Sequence, residues 1–286
     1  MSPSSVALVT DSTAYIPQDL LEQYHIHVIP QYLIWRDETQ LDGVSITPTA
    51  FYRRLAASDS IPTTSQPTAG DFVEFFTRLA DEADAIVGVF ISSQLSGTVN
   101  SALAARDMLR DLPIHVVDSQ STSMGLGFMA LAAARAAAAG RPLDEVVAAA
   151  AQLVPQMNVL FVVETLEYLH KGGRIGGAAN LFGSALSIKP ILHLQDGRIE
   201  PLARVRTKER AVRWLIDRVI GQTTGSRDLH MAIVHADALE EADRLKREIE
   251  AQVTCDELLL AELSPVIGTH VGPQTLGVVF HSAGEA

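Results

Sequence analysis

The chain reads as an α/β protein of two domains, and three observations carry that expectation. Apolar, strand-like runs alternate with stretches of helical periodicity, as in a parallel sheet flanked by helices. Three of those runs end in clusters of Ser, Thr and Asp, which places polar groups at the carboxyl ends of strands, where open α/β sheets bind ligands. A length of 286 residues with 47% hydrophobic content is enough for more than one core.

The elements follow in order. Val6 to Thr10 is a strand running into Asp11-Ser12-Thr13. Residues 28 to 62 break the alternation with Pro, Thr, Asp and short apolar runs, so a small β-rich excursion is expected there. Asp71 opens a helix with Phe72, Phe75, Phe76 and Leu79 on one face, and Ala85 to Ile91 is a buried strand that runs into SSQLSGT at 92 to 98. Thr98 to Leu109 reads as a helix, Ile114 to Val117 as a strand ending in a third hydroxyl loop, Asp118 to Ser123, and Leu126 to Ala139 as a helix stopped by Gly140. Pro142 is expected at the first turn of the next helix and Pro155 at its close. The second domain is expected over 157 to 286, after a first domain of 1 to 156. In it, Leu160 to Val163, Met231 to His235 and Val278 to His281 read as strands, and Arg210 to Ile220 and Leu239 to Ile249 as helices.

Composition excludes several functions. A net charge of −12 disfavours general binding to nucleic acid or an anionic membrane surface. One cysteine, Cys255, permits no intrachain disulfide and offers no metal-binding spacing. The alanine-rich run Phe128 to Ala139 is too short to span a bilayer and carries Arg135, so a cytoplasmic protein without a transmembrane segment is expected. The charge is uneven: residues 168 to 218 carry +6 and the remainder −18, which leaves a basic band suited to phosphate or an acidic partner, or to plain solvation.

The hydroxyl loops suit an anion, because a strand that ends in hydroxyls and opens a helix converges O–H and N–H donors on one point. Asp11 and Asp118 read as capping or hydroxyl-orienting residues rather than metal ligands, since no further carboxylates are spaced to join them. The glycine-rich KGGRIGG at 171 to 177 implies a sharp turn or a backbone pressed against a neighbour, and it matches neither nucleotide-binding glycine motif. The residues alone leave open a serine hydrolase using Ser96 or Ser93, although G-x-S-x-G is missing, and an enzyme acting on a small phosphorylated metabolite.

Taken together, TDST (10 to 13), TSQPT (64 to 68), SSQLSGT with Asn100, VDSQS (117 to 121), GLG (125 to 127), LEYLHKGGRI (166 to 175), IKPIL (188 to 192), RT (206 to 207) and SPVIGTHVGP (264 to 273) resemble the DegV family. Within it they resemble the fatty-acid-binding subunits of bacterial fatty acid kinase. The resemblance implies an N-terminal parallel α/β/α domain and a C-terminal mixed α/β domain with a lipid tunnel between them. It implies a long-chain fatty acid as ligand, with its carboxylate held by Thr64, Ser96 and His270 and by Ser65, Gly97 and Thr98 of the same motifs. Arg174 and Arg206 fall where the resemblance implies kinase docking or phosphate contact. The chain would then be a lipid carrier and not itself an enzyme, with no cofactor and no metal. A separate ATP-dependent kinase resembling dihydroxyacetone kinases would make acyl-phosphate for phospholipid synthesis, and transient membrane contact is compatible with that role. Gln274 and Thr275 depart from the family's glycine and small residue, which puts the placement of His270 in question.

Overall fold

The computed structural model describes residues 5–183 and 188–283; the outer ends of the two expected domains, 1–4 and 284–286, lie outside the described residues. The first sheet is fully parallel, in the order β2-β1-β6-β7, with β1 Val6–Asp11, β2 Ile26–Ile29, β6 Ala85–Phe90 and β7 Ile114–Asp118. Its central strand β6 is buried at every position, as a parallel strand covered on both faces must be. A small antiparallel sheet, β4-β3-β5, joins β3 Tyr32–Trp35, β4 Glu38–Leu41 and β5 Thr63–Ser65. The second large sheet is mixed, in the order β10-β9-β8-β13-β11-β12, built from β8 Asn158–Val162, β9 Lys189–Gln195, β10 Arg198–Val205, β11 Arg227–His235, β12 Glu257–Glu262 and β13 Leu276–Ala283.

Ten helices accompany the strands among the described residues: α1 Gln18–Gln23, α2 Pro48–Ala56, α3 Ala69–Leu79, α4 Thr98–Met108, α5 Ser123–Ala138, α6 Leu143–Ala151, α7 Glu167–Lys171, α8 Lys208–Thr223, α9 Leu239–Glu250 and α10 Pro265–Val271. Their starts follow local chemistry. Thr68 and Asp71 form a reciprocal capping box at α3, Thr47 and Thr207 cap α2 and α8, and Ser264 followed by Pro265 starts α10.

The two large sheets share one core. Helix α5 lies between them, and a single apolar cluster joins Leu8, Val87 and Val89 of the first sheet to Val159, Phe161, Ala232, Val234 and Val279 of the second through the Met, Leu and Ala side chains of α5. A second cluster fills the opposite face of the mixed sheet under α8 and α9, and a third lies under α3 and α4. No helix among the described residues is long and apolar enough to cross a membrane.

Several expected boundaries differ. Helix α5 starts at Ser123 rather than Leu126, because the hydroxyl loop itself supplies the first turn. Pro142 is the residue before α6, in extended conformation, and α6 ends at Ala151; Pro155 belongs to a separate 3-10 turn, Val154–Gln156. The β-rich excursion at 28 to 62 also holds α2, whose buried Phe51 and Tyr52 pack towards α10. The hairpin β9–β10 turns at Asp196-Gly197, both at positive φ, where a two-residue loop matches the twist of its strands.

Candidate functional site

Strands β1, β6 and β7 run parallel, so the loops at 11 to 13, 92 to 98 and 119 to 123 leave the same edge of the sheet. Facing them are Val159 and Phe161 of β8, Val234 of β11, and the helix α10. Together these elements enclose a cavity of about 870 Å³, its open mouth included. Leu95, Leu194, Ile199, Leu263 and Ile267 make the cavity mainly apolar, while Thr64, Ser65, Gln66, Ser96, Arg174 and His270 add polar groups.

Two hydrogen-bond relays direct protons into this cavity. In the first, the Gln31 side-chain amide donates to Thr98 Oγ1 at 2.9 Å, and Thr98 Oγ1 lies 2.9 Å from Ser96 Oγ. A hydroxyl that accepts from an amide keeps its own proton to give away. Thr98 keeps a proton with which it can donate to Ser96, and in that arrangement the Ser96 proton is left for whatever occupies the cavity. Gln31 is itself fixed: its backbone N–H donates to Ser12 Oγ at 3.0 Å, and Ser12 donates to Asp42 at 2.7 Å. Burial pushes the Asp42 carboxyl up to about 7 although Ser12 and Ser264 bond to it.

The second relay joins residues far apart in sequence. His270 Nε2 lies 2.8 Å from Thr64 Oγ1. Burial, and secondarily the charge of Arg174, hold the His270 pKa down to about 4, so the imidazole is neutral near pH 7 and carries one proton. Its Nδ1 is buried without a partner against Gly172, where a Cβ would come within 2.2 Å of that nitrogen. Interiors tolerate an unmet acceptor better than an unmet N–H, so the proton sits on Nε2 and is donated to Thr64. The Thr64 proton is then free to point inward.

Arg174 is the charged side chain on the cavity wall among the described residues. Its Nε donates to Leu95 O at 3.1 Å and its Nη1 to Gly172 O at 2.8 Å, tying the 92 to 98 loop to the glycine-rich segment. Arg174, where kinase docking or phosphate contact is expected, is half-buried in the wall, because the glycine-rich turn folds inward over His270. Arg206 is exposed after β10 and is not part of the cavity wall.

The other expected residues divide between the wall and its support. Ser65 lines the cavity beside Thr64, whereas Thr98 is buried behind Ser96 and Gly97 lies under Gln66, whose amide nitrogen would be 2.8 Å from a Cβ there. Asp11 accepts from Thr13 N, Thr13 Oγ1 and Ile91 N, and Asp118 from Ser93 N and Gln120 N, so both aspartates fix the hydroxyl loops. Among the described residues no group of three or more His, Cys, Asp or Glu could hold a metal ion. Neither Ser93 nor Ser96 is bonded to an imidazole; His270 serves Thr64 instead.

Gln274 adopts φ +62°, so the left-handed backbone persists without a glycine. The conformation is held by its N–H donating to Ala236 O at 2.7 Å and by its side-chain amide donating to Asp237 O. Thr275 donates to Val271 O and Gly272 O at the end of α10 and lines the cavity. Sequence reasoning missed Gln31 as a cavity residue, and it named Thr122 and Ser123 only as part of the third hydroxyl loop. Gln31 gives no signal beyond a lone polar residue in an apolar stretch, whereas Thr122 and Ser123 could have been singled out from that loop.

Fold and site together define a two-domain α/β protein with an apolar cavity between its sheets and inward-directed hydroxyl donors on the wall. The family model described as "uncharacterised protein, DegV family" matches residues 5–283, and the chain belongs to that family. A DegV domain-containing protein of Streptomyces coelicolor is 40% identical over 280 residues, covering 97% of this chain and 98% of the relative. Among solved structures, a DegV family protein of Thermus thermophilus described by its fatty acid binding superposes with a TM-score of 0.92 at 34% identity, covering 98% of this chain and all of that one. DegV of Bacillus subtilis, described as a fatty acid binding protein, gives 0.90 at 32% identity over 98% of this chain and all of that one.

Proposed function

We propose that this chain binds one long-chain fatty acid in the cavity, with its carboxylate at the Thr64 and Ser96 hydroxyls, and presents that carboxylate to a separate ATP-dependent kinase for acyl-phosphate formation. The observation that carries the reading is the pair of hydrogen-bonded chains, Gln31–Thr98–Ser96 and His270–Thr64, each ending in a hydroxyl on the wall of an apolar space. A carboxylate accepts and never donates, so two aimed donors suit it. The fatty-acid-binding relatives of Thermus thermophilus and Bacillus subtilis support the same ligand.

Magnitudes assign the roles. A chain of roughly 16 carbons contributes on the order of 10 kcal/mol gross, at about 0.8 kcal/mol per buried CH₂. Hydrogen bonds to a charged head add about 1.5–3 kcal/mol each and offset its desolvation. The tail therefore retains the ligand, and the relays aim it. Aim matters because the carboxylate oxygen is the nucleophile towards ATP, and in-line placement is most of what phosphoryl transfer asks of a protein. The carrier itself performs no transfer. Ser65 and the backbone at Gly97 border the head group, Arg174 holds the wall around it, and the exposed Arg206 is the docking arginine.

The test is denaturing lipid extraction of the purified protein with mass spectrometry, followed by a coupled assay with a kinase resembling dihydroxyacetone kinases. A stoichiometric fatty acid that is converted to acyl-phosphate is expected. An empty protein that gains none on incubation overturns the ligand, and a filled protein that no such kinase phosphorylates overturns the presentation. Arg206→Ala is expected to keep its lipid and lose turnover, the loss growing with ionic strength as the remaining docking charges are screened.

A further inference from the structure

We propose that the cavity holds a second polar station, formed by Thr122 and Ser123 at the start of α5, which receives a hydroxyl group on the acyl chain; the ligand class is then a hydroxylated long-chain fatty acid. The inference rests on the fatty-acid reading and adds to it.

Three hydroxyl loops leave the first sheet, and in two of them the hydroxyls that line or back the cavity are held by internal hydrogen bonds. Thr13 is bound to Asp11, and Ser96 and Thr98 belong to the Gln31 relay. The third loop differs. The Ser121, Thr122 and Ser123 hydroxyls are all buried without a hydrogen-bond partner among the described residues, and of the three Thr122 and Ser123 line the same cavity as Thr64 and Ser96. Ser123 is 4% exposed, so bulk water does not meet its hydroxyl. Folded proteins seldom leave neighbouring buried hydroxyls unmet, and covering these two with methylenes would do so.

The backbone at the same place adds donors. Helix α5 is sixteen residues long, and its N-cap residue Thr122 makes no side-chain capping bond. First-turn N–H groups have no intrahelical acceptor, and the helix dipole favours an oxygen there. A chain hydroxyl both accepts from such an N–H and exchanges a hydrogen bond with Thr122 or Ser123. A second carboxylate is a poorer match. Arg174 is the charged side chain of the wall among the described residues, and its guanidinium is engaged with the Leu95 and Gly172 carbonyls.

The experiment measures displacement of a fluorescent fatty acid from delipidated protein by palmitate and by its positional hydroxy isomers. At least one chain-hydroxylated isomer is expected to bind about tenfold more tightly than palmitate, the order expected of one well-made hydrogen bond. The double variant Thr122→Val with Ser123→Gly removes both hydroxyls; valine keeps the threonine shape, and glycine is at ease at the φ of +51° that Ser123 adopts. In that variant, shown to be folded by its thermal transition, the ratio is expected to fall to within about twofold of unity. Wild-type protein that binds no isomer better than palmitate, as it would if a trapped water filled the station, overturns the proposal. So does a ratio that survives in the double variant. Loss of palmitate and hydroxy acids together in the folded variant would make the station the carboxylate's own seat and also overturns it. Wild-type protein that takes neither kind of acid overturns the fatty-acid reading itself.

Discussion

The two large sheets meet at one cavity but contribute to it in opposite ways. The parallel sheet offers its strand ends, where backbone and hydroxyl donors of the loops at 11 to 13, 92 to 98 and 119 to 123 converge. The mixed sheet offers its flat face, where Val159, Phe161 and Val234 are apolar wall, and the segments outside its strands add His270 on α10, Arg174 and Thr275. A strand end can aim a group, because its loops converge; a sheet face can only cover one, because its side chains stand side by side. On the proposed function, aiming and retention therefore belong to different halves of the molecule, and substitutions should separate them.

The largest effect is expected on the covering half. Val234→Asp places an unpaired carboxylate at a site that is 3% exposed, at a cost of about 3–5 kcal/mol, so the melting temperature should fall sharply and the extracted lipid should drop to a trace. A stable, lipid-filled variant would show that the wall is not where the chain lies. On the aiming half, Ser96→Ala removes one donor worth about 1.5–3 kcal/mol. It should cut acyl-phosphate formation at least about tenfold while lipid still co-purifies and the melting temperature holds. Equal losses of lipid and turnover would erase the distinction between the halves.

A smaller effect is expected one step back in the relay. Gln31→Leu leaves Ser96 in place but frees Thr98 to turn, so kinase-coupled turnover should fall by about threefold to tenfold, less than for Ser96→Ala. A loss as large as that of Ser96→Ala would mean that Gln31 itself reaches the ligand.

A pH dependence is expected as well, on stability and not on turnover. His270 is held at about 4 in the folded protein, below the ordinary 6.5, so the unfolded chain takes up its proton first. Its neutral form contributes stability that is full above about pH 6.5 and is lost as pH falls towards 4. Glu257, paired with Arg135 and His230 and held down to about 2, contributes in a lower window, full above about 4.5 and lost as pH falls towards 2. Protonation of Asp42, pushed up to about 7, adds stability over the same range, so the His270 contribution is read as a difference: the melting temperature of delipidated wild type relative to His270→Gln should fall as pH drops from about 6.5 towards 4. A difference that does not change with pH would take His270 out of the linkage and leave that part to other histidines, such as His281, which burial holds at about 4.

The same contrast decided what could be read from sequence. Hydroxyl clusters directly after apolar runs are local signals, so the strand ends, Ser96 and Thr98 were visible in the chain itself. Thr64 and His270 were placed by family resemblance, because the bond between them joins residues 206 apart and no local pattern announces it. The mixed sheet was only partly legible. Strands β8, β11 and β13 were expected, but β12 alternates weakly, and β9 and β10 were passed over although Asp196-Gly197 marks their hairpin. Val159 and Val234 carry no sign that separates cavity wall from ordinary core, since both uses ask for the same side chains. Gln31 acts only through Thr98, across 67 residues, and such positions emerge only once the chain is folded.

Strand β13, which lies between β8 and β11, is later in the chain than every other strand of its sheet. During synthesis, β8, β9 and β10 can form a meander, but they cannot join β11 and β12 until residues 276–283 have emerged, a wait of several seconds or more at roughly 5–20 residues per second. Until then the facing edges of β8 and β11 are unpaired, and the apolar face that closes the cavity is split in two. A nascent chain that has already formed the parallel sheet thus displays its hydroxyl loops with nothing opposite them, and on the proposed function the hinge between holding a ligand and merely exposing a receptor for one is the insertion of a single late strand.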